Sequence, residues 1–183
     1  MNSETEAAIT PGTVTYSGTA IAATDAGSYV ITPAVSGFAS TNYNAPTLVD
    51  GTLTIGKATL TVTPDAKSKT YNGTTFTGFT STITGYVNSE NSSVITGSAT
   101  YSGAATSATN AGTYASITAV VSGMSATNYT FASANGTLTI NKAPLTVTAN
   151  NASKTYGDAN PTLSTTVSGF VNGETLATSG VAG

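Results

Sequence analysis

Apolar residues alternate with threonine and other small polar residues over several short stretches of the chain. Leu60 and Val62 do so within residues 58–63, and Leu138 and Ile140 within residues 137–140. Alternation with a period of two residues places one set of side chains on one face of a β-strand. Thr, Val and Ile also disfavour helix, because their χ1 freedom is restricted against the preceding turn. The pattern predicts an all-β chain, with further strands at 79–84, 94–101 and 114–121.

Two dipeptides that are typical of tight turns stand immediately before predicted strands. Asp50-Gly51 precedes one copy of the sequence TLTI, and Asn135-Gly136 precedes the other. Asp-Gly and Asn-Gly favour type I′ turns, which require positive φ at both central residues. We therefore predict hairpin turns at both places.

A second pair of segments, DAGSY at residues 25–29 and NAGTY at residues 110–114, has the form D-x-G-x-Y. In immunoglobulin-like sandwiches this form opens the penultimate strand, and the tyrosine hydroxyl bonds to a nearby backbone group. The pattern predicts a tyrosine corner in each segment, with one more strand after it. The structural residues of the two corners are Asp25, Gly27, Tyr29, Asn110, Gly112 and Tyr114.

The sequence repeats itself with a period of about 85 residues. VTYSG at 14–18 recurs as ATYSG at 99–103, GTLTI at 51–55 recurs at 136–140, and SKTY at 68–71 recurs at 153–156, all 85 residues apart. That length suits a small β-domain with its own core and exceeds the repeat of a solenoid. We therefore predict tandem immunoglobulin-like β-sandwich repeats of about 85 residues.

Two repeat frames are compatible with this period. In the first frame, residues 1–56 are the C-terminal part of one repeat with a disordered tail at 1–12, residues 57–141 are a complete repeat, and residues 142–183 begin a third. The alternative frame has repeats at 14–98 and 99–183. The turn and corner patterns favour the first frame, in which the two partial repeats are complementary. Neighbouring repeats are then the expected partners, and head-to-tail self-association is a possible further one.

The repeat also indicates what individual residue types do. Eight of the nine tyrosines recur in both copies, which predicts aromatic core positions. Three acids are exchanged for asparagine between copies: Asp25 for Asn110, Asp50 for Asn135, and Asp65 for Asn150. Carboxylate chemistry does not survive that exchange, whereas turn formation does. Glu90 and Glu174 are retained, and we interpret them as solvated turn residues.

Composition excludes several classes of function. The chain has 39 Thr and 21 Ser, no His or Cys, and a net charge of −3. Without a basic stripe we expect no nucleic-acid binding, and without an apolar run of about 20 residues we expect no membrane insertion. Without His or Cys the chain lacks the usual catalytic bases and soft metal ligands. We therefore expect no enzyme activity, no metal site and no cofactor.

Glycan binding is an alternative, since exposed tyrosine beside asparagine can stack on a sugar and hydrogen-bond to it. The candidate residues are Asn42, Tyr43, Asn44, Asn128 and Tyr129. The competing interpretation places these tyrosines in the core between the last two strands. A glycan bound at a tip outside these residues is also compatible with the sequence.

Three longer segments, KAPLTVTANNASKTYGDANPTL at 142–163, VSGFVNGET at 167–175 and ATNYTFASANGTLTINKA at 126–143, resemble the MBG family of glycine-rich, mostly β repeats. SKTYNGTT at 68–75 is similar to the related YDG type. The resemblance implies tandem arrays in large bacterial adhesins, an extracellular or cell-surface location, and no catalytic residues. The expected function is a non-catalytic spacer or stalk, and the alternatives are a self-assembling filament subunit and a glycan-binding module.

Overall fold

The computed structural model describes residues 12–181, and these residues form strands and short 3-10 helices without an α-helix. The chain divides into two compact units. The first contains the described residues up to Thr59 together with Tyr86–Thr96 and Ser125–Thr130, and the second contains the remainder. The twelve strands are β1 Thr13–Ser17, β2 Gly27–Ser36, β3 Gly51–Ile55, β4 Ala58–Pro64, β5 Lys67–Thr70, β6 Ser81–Thr84, β7 Thr100–Ser102, β8 Gly112–Val120, β9 Tyr129–Ser133, β10 Asn135–Asn141, β11 Thr146–Ala149 and β12 Thr165–Ser168.

Strands β4 to β10 form a β-sandwich. One sheet has the order β5-β10-β8-β7 and the other the order β6-β4-β9. The alternation along β4 and β10 sends every second residue inward, so that Leu60, Val62 and Leu138 are fully buried. The Tyr101 hydroxyl of β7 donates to Ser81 Oγ of β6 at 3.2 Å and connects the two sheets. The all-β sandwich predicted from the sequence is confirmed.

One buried cluster in the core of the sandwich consists of Ala105, Ala108, Ile117, Leu138 and Ile140. Aromatic rings pack around this cluster. Phe76 and Phe79 meet edge to face with ring centroids 5.0 Å apart, and the next ring, that of Tyr101, lies 5.6 Å from that of Phe79. The edge-to-face geometry of Phe76 and Phe79 stabilises this pair beyond its buried area.

The first unit contains a three-stranded antiparallel sheet of order β1-β2-β3. By the repeat period these strands correspond to β7, β8 and β10 of the sandwich. Tyr16 pairs with Pro33 in the first sheet, and Tyr101 pairs with Ala119 in the second, so the register is equivalent. The second copy has one extra residue after Tyr114, and there the ladder between β8 and β10 contains a β-bulge.

The last two strands, β11 and β12, correspond to β4 and β6 of the sandwich. Val147 pairs with Val167 as Val62 pairs with Ile83, so the two antiparallel ladders share their register. β11 begins at Thr146 whereas β4 begins three positions earlier in its own repeat, at Ala58. Pro144 stands where the first copy has Thr59, and proline has no N–H to donate to a ladder.

The structure differs from the predicted strand at 94–101. Ser92–Val94 is a 3-10 helix, Thr96 makes an isolated bridge with Ser125, and only Thr100–Ser102 is a strand. The chain turns at Gly97, which has a φ of 85°, and a Cβ there would lie 2.0 Å from the Gly123 carbonyl oxygen. The apolar residues predict one strand here because periodicity does not register a glycine turn of this kind.

The strand count after the tyrosine corner also differs. In the sandwich two strands, β9 and β10, follow β8, where the D-x-G-x-Y pattern predicted one. β5, with the sequence KSKT, carries no apolar alternation and was not predicted. It forms through parallel pairing with β10, which places Lys67 opposite Leu138.

The predicted type I′ turns are wrong. Asp50, Gly51, Asn135 and Gly136 all lie outside the positive φ region. Gly51 pairs with Ile31 and Asn135 with Thr118, so these residues stand at strand starts. Gly136 is needed for a different reason, because a Cβ at this position would lie 2.5 Å from the Pro64 carbonyl oxygen.

Candidate functional site

The side chain of Asn128 binds the corner loop that precedes β2. Its Oδ1 accepts a hydrogen bond from the Ala26 N–H at 2.8 Å, and its Nδ2 donates to Asp25 Oδ1 at 2.9 Å. Its backbone oxygen accepts from the Ala58 N–H at 2.9 Å. One asparagine therefore binds the corner loop that precedes β2 and the first residue of β4.

Further hydrogen bonds hold the residues beside Asn128. Lys57 lies in the short connection between β3 and β4, and its Nζ donates to the Ala126 carbonyl at 3.0 Å. The Thr130 hydroxyl donates to the Ala58 carbonyl at 3.2 Å. We call Asp25, Ala26, Lys57, Ala58 and Ser125–Thr130 the first junction. Its contacts use both side chains and backbone, which fixes the path of the connection.

Tyr129 is buried beside this junction, with 2% of its surface exposed. Its hydroxyl donates to Glu90 Oε2 and accepts from the Val87 N–H at 3.0 Å. The Tyr86 ring packs against it with centroids 6.2 Å apart. The hydrogen bond to Glu90 raises the pKa of Tyr129, because the carboxylate binds the protonated hydroxyl and opposes a second negative charge.

A second tyrosine and glutamate pair lies in the second unit. The Tyr71 hydroxyl donates to Glu174 Oε1, and this bond raises the pKa of Tyr71. The Tyr71 N–H donates to the Asn141 carbonyl at 2.8 Å. Gly73, in the adjoining turn, leaves room for Asn172, whose Cγ would lie 2.3 Å from a Cβ at this position. We call Tyr71, Gly73, Asn172 and Glu174 the second junction.

Glu90 and Glu174 are hydrogen-bonded anchors, so the interpretation as merely solvated turn residues is wrong. Each follows the same turn, in which its N–H donates at 3.0 Å to a valine carbonyl, of Val87 or of Val171. The turn brings each carboxylate to a tyrosine hydroxyl. Retention of this acid in both copies was the available sequence signal, but sequence does not show that the partner tyrosines are 39 and 103 residues away.

The two tyrosine-corner segments place their hydroxyls as follows. Tyr29 donates to the Asp25 carbonyl at 2.8 Å, and Tyr114 donates to the Asn110 carbonyl at 2.9 Å. The rings lie over the glycines two residues earlier, since a Cβ at Gly27 would lie 3.1 Å from the Tyr29 hydroxyl. In this way the corner segment holds Asp25 at the first junction. The sequence singled out the segment, but not its contact with Asn128.

Asp65 and Asn150 show how an acid can be exchanged without loss of the contact. Asp65 Oδ1 accepts from the Thr82 hydroxyl at 2.8 Å, and Thr80 donates to the other carboxylate oxygen. Asn150 Oδ1 accepts from Thr166 at 2.8 Å, at the corresponding place in the next copy. The hydroxyl bonds lower the pKa of Asp65, because they stabilise its ionised form. Both residues hold a loop to a neighbouring strand.

The candidate sugar-binding residues are placed differently in the two copies. The Tyr129 ring is buried and the Asn128 side chain is engaged by Asp25 and Ala26, so neither presents a free face. Tyr43 is 51% exposed.

Within residues 12–181 no group of three or more His, Cys, Asp or Glu side chains could hold a metal ion. In that part of the chain, no helix is both long enough and apolar enough to cross a bilayer.

Comparison with known proteins identifies the family. The model of the MBG domain (YGX type) matches residues 60–139 and again residues 145–183. The order Tyr-Gly-x occurs at Tyr156-Gly157-Asp158, whereas the preceding copy has Tyr71-Asn72-Gly73. No curated protein and no solved structure matches the chain. MBG domains are structural repeat modules of surface proteins and are not known as enzymes. The chain belongs to the MBG domain family.

Proposed function

We propose that this chain is part of the non-catalytic stalk of an extracellular bacterial adhesin, in which successive repeats act as a spacer. A spacer needs folded units and connections that do not swing freely. The first junction is the observation that supports the proposal most directly. Only Gly56 and Lys57 separate β3 from β4, and the side chain of Asn128 holds the corner loop on one side of that connection.

The repeat frame with boundaries at 57 and 142 agrees with this function. The two stretches that match the MBG model are separated at residues 140–144, close to the boundary proposed at 142. In this frame the first junction is a contact between successive repeats. The second junction, Tyr71 with Glu174, then belongs to the next boundary of the array.

Surface composition supports an extracellular location. Charged residues make up only 7% of the chain, and hydroxyl residues replace them on the exposed strands. The absence of cysteine means that stability does not depend on the redox state of the surroundings. A surface with few charges has a weak electrostatic field and so little long-range attraction for charged molecules, which suits a projecting spacer.

The test measures whether the first junction restrains the β1–β3 sheet. ¹⁵N relaxation on the whole chain gives separate rotational correlation times for amides in β1–β3 and for amides in β8 and β10. We expect the same correlation time for both sets in the natural chain. Asn128→Ala removes both side-chain hydrogen bonds, each contributing about 0.5–1.5 kcal/mol. It should shorten the correlation time of β1–β3 more than that of β8 and β10.

Asn160→Ala is the matched control, because Asn160 is an exposed asparagine in a different part of the chain. It should leave both correlation times unchanged. Independent tumbling of the β1–β3 sheet in the natural chain would contradict the spacer proposal, since the connection would then be flexible.

Glycan binding is the second candidate, and of its two candidate tyrosines it is Tyr43 that has an exposed ring. A glycan array probed with the natural chain and with Tyr43→Ala tests this function. Binding that is lost in the variant would favour a glycan-binding module over a spacer.

A further inference from the structure

Five asparagines are followed two residues later by serine or threonine, with a residue other than proline between them. They are Asn72, Asn91, Asn128, Asn135 and Asn151. This order of residues is the acceptor sequence for sugars that are attached to asparagine in exported proteins. It also arises by chance in a chain with 39 Thr and 21 Ser, so the geometry at each asparagine has to separate an acceptor from a coincidence.

Two of the five asparagines use their side chains in contacts between different parts of the fold. The half-buried Asn128 binds Ala26 and Asp25 through the two ends of its amide. Asn135 begins β10, and its Oδ1 accepts a hydrogen bond from the Thr118 hydroxyl of β8 at 3.0 Å. A sugar at Asn128 would break the first junction, and Asn135 lies in a paired strand and not in a turn.

Asn72 has a different geometry, in which its side-chain oxygen bonds to the threonine of its own acceptor sequence. Oδ1 accepts from the Thr74 N–H at 3.2 Å and from the Thr74 hydroxyl at 3.0 Å. Both residues are exposed. Within residues 12–181, Asn72 is the one member of the five whose oxygen accepts from the hydroxyl two residues later. At Asn91 the N–H of Ser93 makes the corresponding backbone bond alone.

Lys69 adds a third group to this turn. Its Nζ donates to the Thr74 hydroxyl oxygen at 3.3 Å and to the Thr74 carbonyl oxygen at 2.6 Å. The ammonium, the hydroxyl and the amide oxygen therefore form a chain in which each group donates to the next. A hydroxyl that accepts from a cation is the stronger donor, because hydrogen bonds in a chain polarise one another.

The turn is held by the complete sandwich. Lys69 and Thr70 belong to β5, which pairs with β10, and the Tyr71 N–H donates to the Asn141 carbonyl at 2.8 Å. Gly73 has a φ of 74°, a conformation that glycine adopts without strain, and this places Thr74 back beside Asn72. These contacts lie within β5, β10 and the turn, and they involve neither β1–β3 nor β11–β12.

We propose that Asn72 is the acceptor for a sugar linked through its Nδ2, and that Thr74 and Lys69 are positioning residues for the transfer. The donor is a sugar whose anomeric carbon is bonded to a diphosphate, carried on a nucleotide or on a lipid. A base of the glycosyltransferase takes a proton from Nδ2, and the nitrogen forms a bond to the anomeric carbon. The bond from that carbon to the diphosphate oxygen breaks, and the diphosphate leaves with the electron pair. This inference goes beyond the spacer function and does not depend on it.

The hydrogen bonds to Asn72 Oδ1 favour this reaction. An amide nitrogen is a weak nucleophile because its electron pair is delocalised onto the oxygen. Loss of a proton from the nitrogen places negative charge on Oδ1, and donors that already point at Oδ1 stabilise this charge. The N–H and hydroxyl of Thr74 are such donors, and Lys69 strengthens the second of them.

The first measurement is the intact mass of the whole folded chain after incubation with an asparagine glycosyltransferase, followed by peptide mapping. One arm uses a transferase with UDP-glucose, and the other uses a transferase with a lipid-linked oligosaccharide. Both enzymes are first shown to be active on an unstructured peptide that contains Asn-Gly-Thr. We expect one sugar on Asn72, and the arm in which it appears identifies the carrier. A chain unmodified in both arms, or modified at Asn128 or Asn135 as fast as at Asn72, would overturn the proposal.

Variants at Thr74 and Lys69 then test the positioning roles through the initial rate of transfer. Thr74→Ser keeps the hydroxyl and should be modified, whereas Thr74→Val should not be. Lys69→Met leaves the acceptor sequence intact and should lower the rate about tenfold, the effect of losing one hydrogen bond from a charged donor. Unchanged thermal unfolding of each variant verifies that the fold is intact.

Lys154→Met is the matched control. Lys154 occupies the corresponding position in the next copy and donates to the Asp158 carbonyl at 3.2 Å, but Gly157 stands where the sandwich has Asn72. This substitution should leave the rate of transfer unchanged. An equal rate for Lys69→Met and the natural chain would contradict the role of Lys69, and modification of Thr74→Val at the natural rate would contradict that of Thr74.

Discussion

The complete sandwich and its partial counterparts carry nearly the same residues in different environments. Leu60 and Leu145 occupy equivalent positions, yet the first is fully buried and the second 37% exposed. Residues 68–70 lie in a strand, whereas the same three residues at 153–155 do not. Burial and strand formation in this fold therefore depend on the presence of the facing sheet and the neighbouring strand. Local sequence supplies the alternation of apolar and polar residues, and the partner sheet determines whether the apolar residues are buried.

Leucine truncation should show the largest difference between the two regions. Leu138→Ala leaves a cavity in a closed core and should lower the free energy of unfolding by about 2–5 kcal/mol. Leu53→Ala removes a side chain that already contacts solvent, and should cost about 1 kcal/mol or less. Urea unfolding followed by circular dichroism, at a concentration where the chain is monomeric, measures both. Equal losses in the free energy of unfolding would show that Leu138 and Leu53 are packed alike.

The equivalent glycines Gly136 and Gly51 provide a second comparison. A Cβ at Gly136 would lie 2.5 Å from the Pro64 carbonyl oxygen, so Gly136→Ala should cost about 1–3 kcal/mol through overpacking. At Gly51 the nearest atom would be Ile31 Cβ at 3.7 Å, and Gly51→Ala should change stability little. Thermal unfolding of the two variants side by side measures the difference. A costly Gly51→Ala would indicate that a strand lies against β3.

The Tyr129 hydroxyl should make a smaller contribution to stability that depends on pH, and the exposed Tyr43 provides the comparison at one pH. The pKa of Tyr129 is raised by Glu90, so the stability that the protonated hydroxyl contributes is complete below about pH 10. That contribution is lost as pH rises through the raised pKa of the folded state. Tyr129→Phe should lower the unfolding temperature at pH 8 and flatten its alkaline decline. Tyr43→Phe should leave the unfolding temperature at pH 8 unchanged, because the Tyr43 ring is 51% exposed. Identical pH profiles for Tyr129→Phe and the natural chain would contradict the assignment.

The smallest effect is expected for Asp65→Asn, which introduces the residue found at the equivalent position 150. The hydroxyls of Thr80 and Thr82 can bond to an amide oxygen as Thr166 bonds to Asn150, so stability at pH 7 should be nearly unchanged. Because the pKa of Asp65 is lowered, its contribution is present above about pH 4 and is lost as pH falls through the folded value. Acid titration of the unfolding temperature should show a weaker decline in the variant.

The sequence predicted those strands whose alternation contains large apolar residues, as in β4 with Leu60 and Val62. It did not predict β5, because KSKT has no apolar side and is a strand only through its backbone pairing with β10. The error at 94–101 arose at Gly97, where a close backbone approach turns the chain. Strand prediction therefore succeeded where side chains decide the structure and failed where backbone contacts do.

Prediction of the residues at the two junctions succeeded for local patterns and failed for contacts between residues far apart in the chain. The repeat singled out the corner segment at Asp25 and the retained acids Glu90 and Glu174. It did not identify Asn128 as the residue that binds Asp25, because that contact joins residues 103 positions apart. The tripeptide Thr-Asn-Tyr occurs at residues 41–43 and again at 127–129, but its polar residues are compatible with sugar binding as well as with a contact between loops.

Parallel pairing of β5 with β10 has a consequence for mechanical load. β5 lies near the start of the sandwich in chain order and β10 at its end, and Leu138, Thr139, Ile140 and Asn141 pair with residues 67–70 in the same direction. A pull on the two ends of such a pair acts along the strands, so these backbone hydrogen bonds carry the force together and cannot open one at a time from an end. The sandwich is thereby built to resist tension along the direction in which the chain continues.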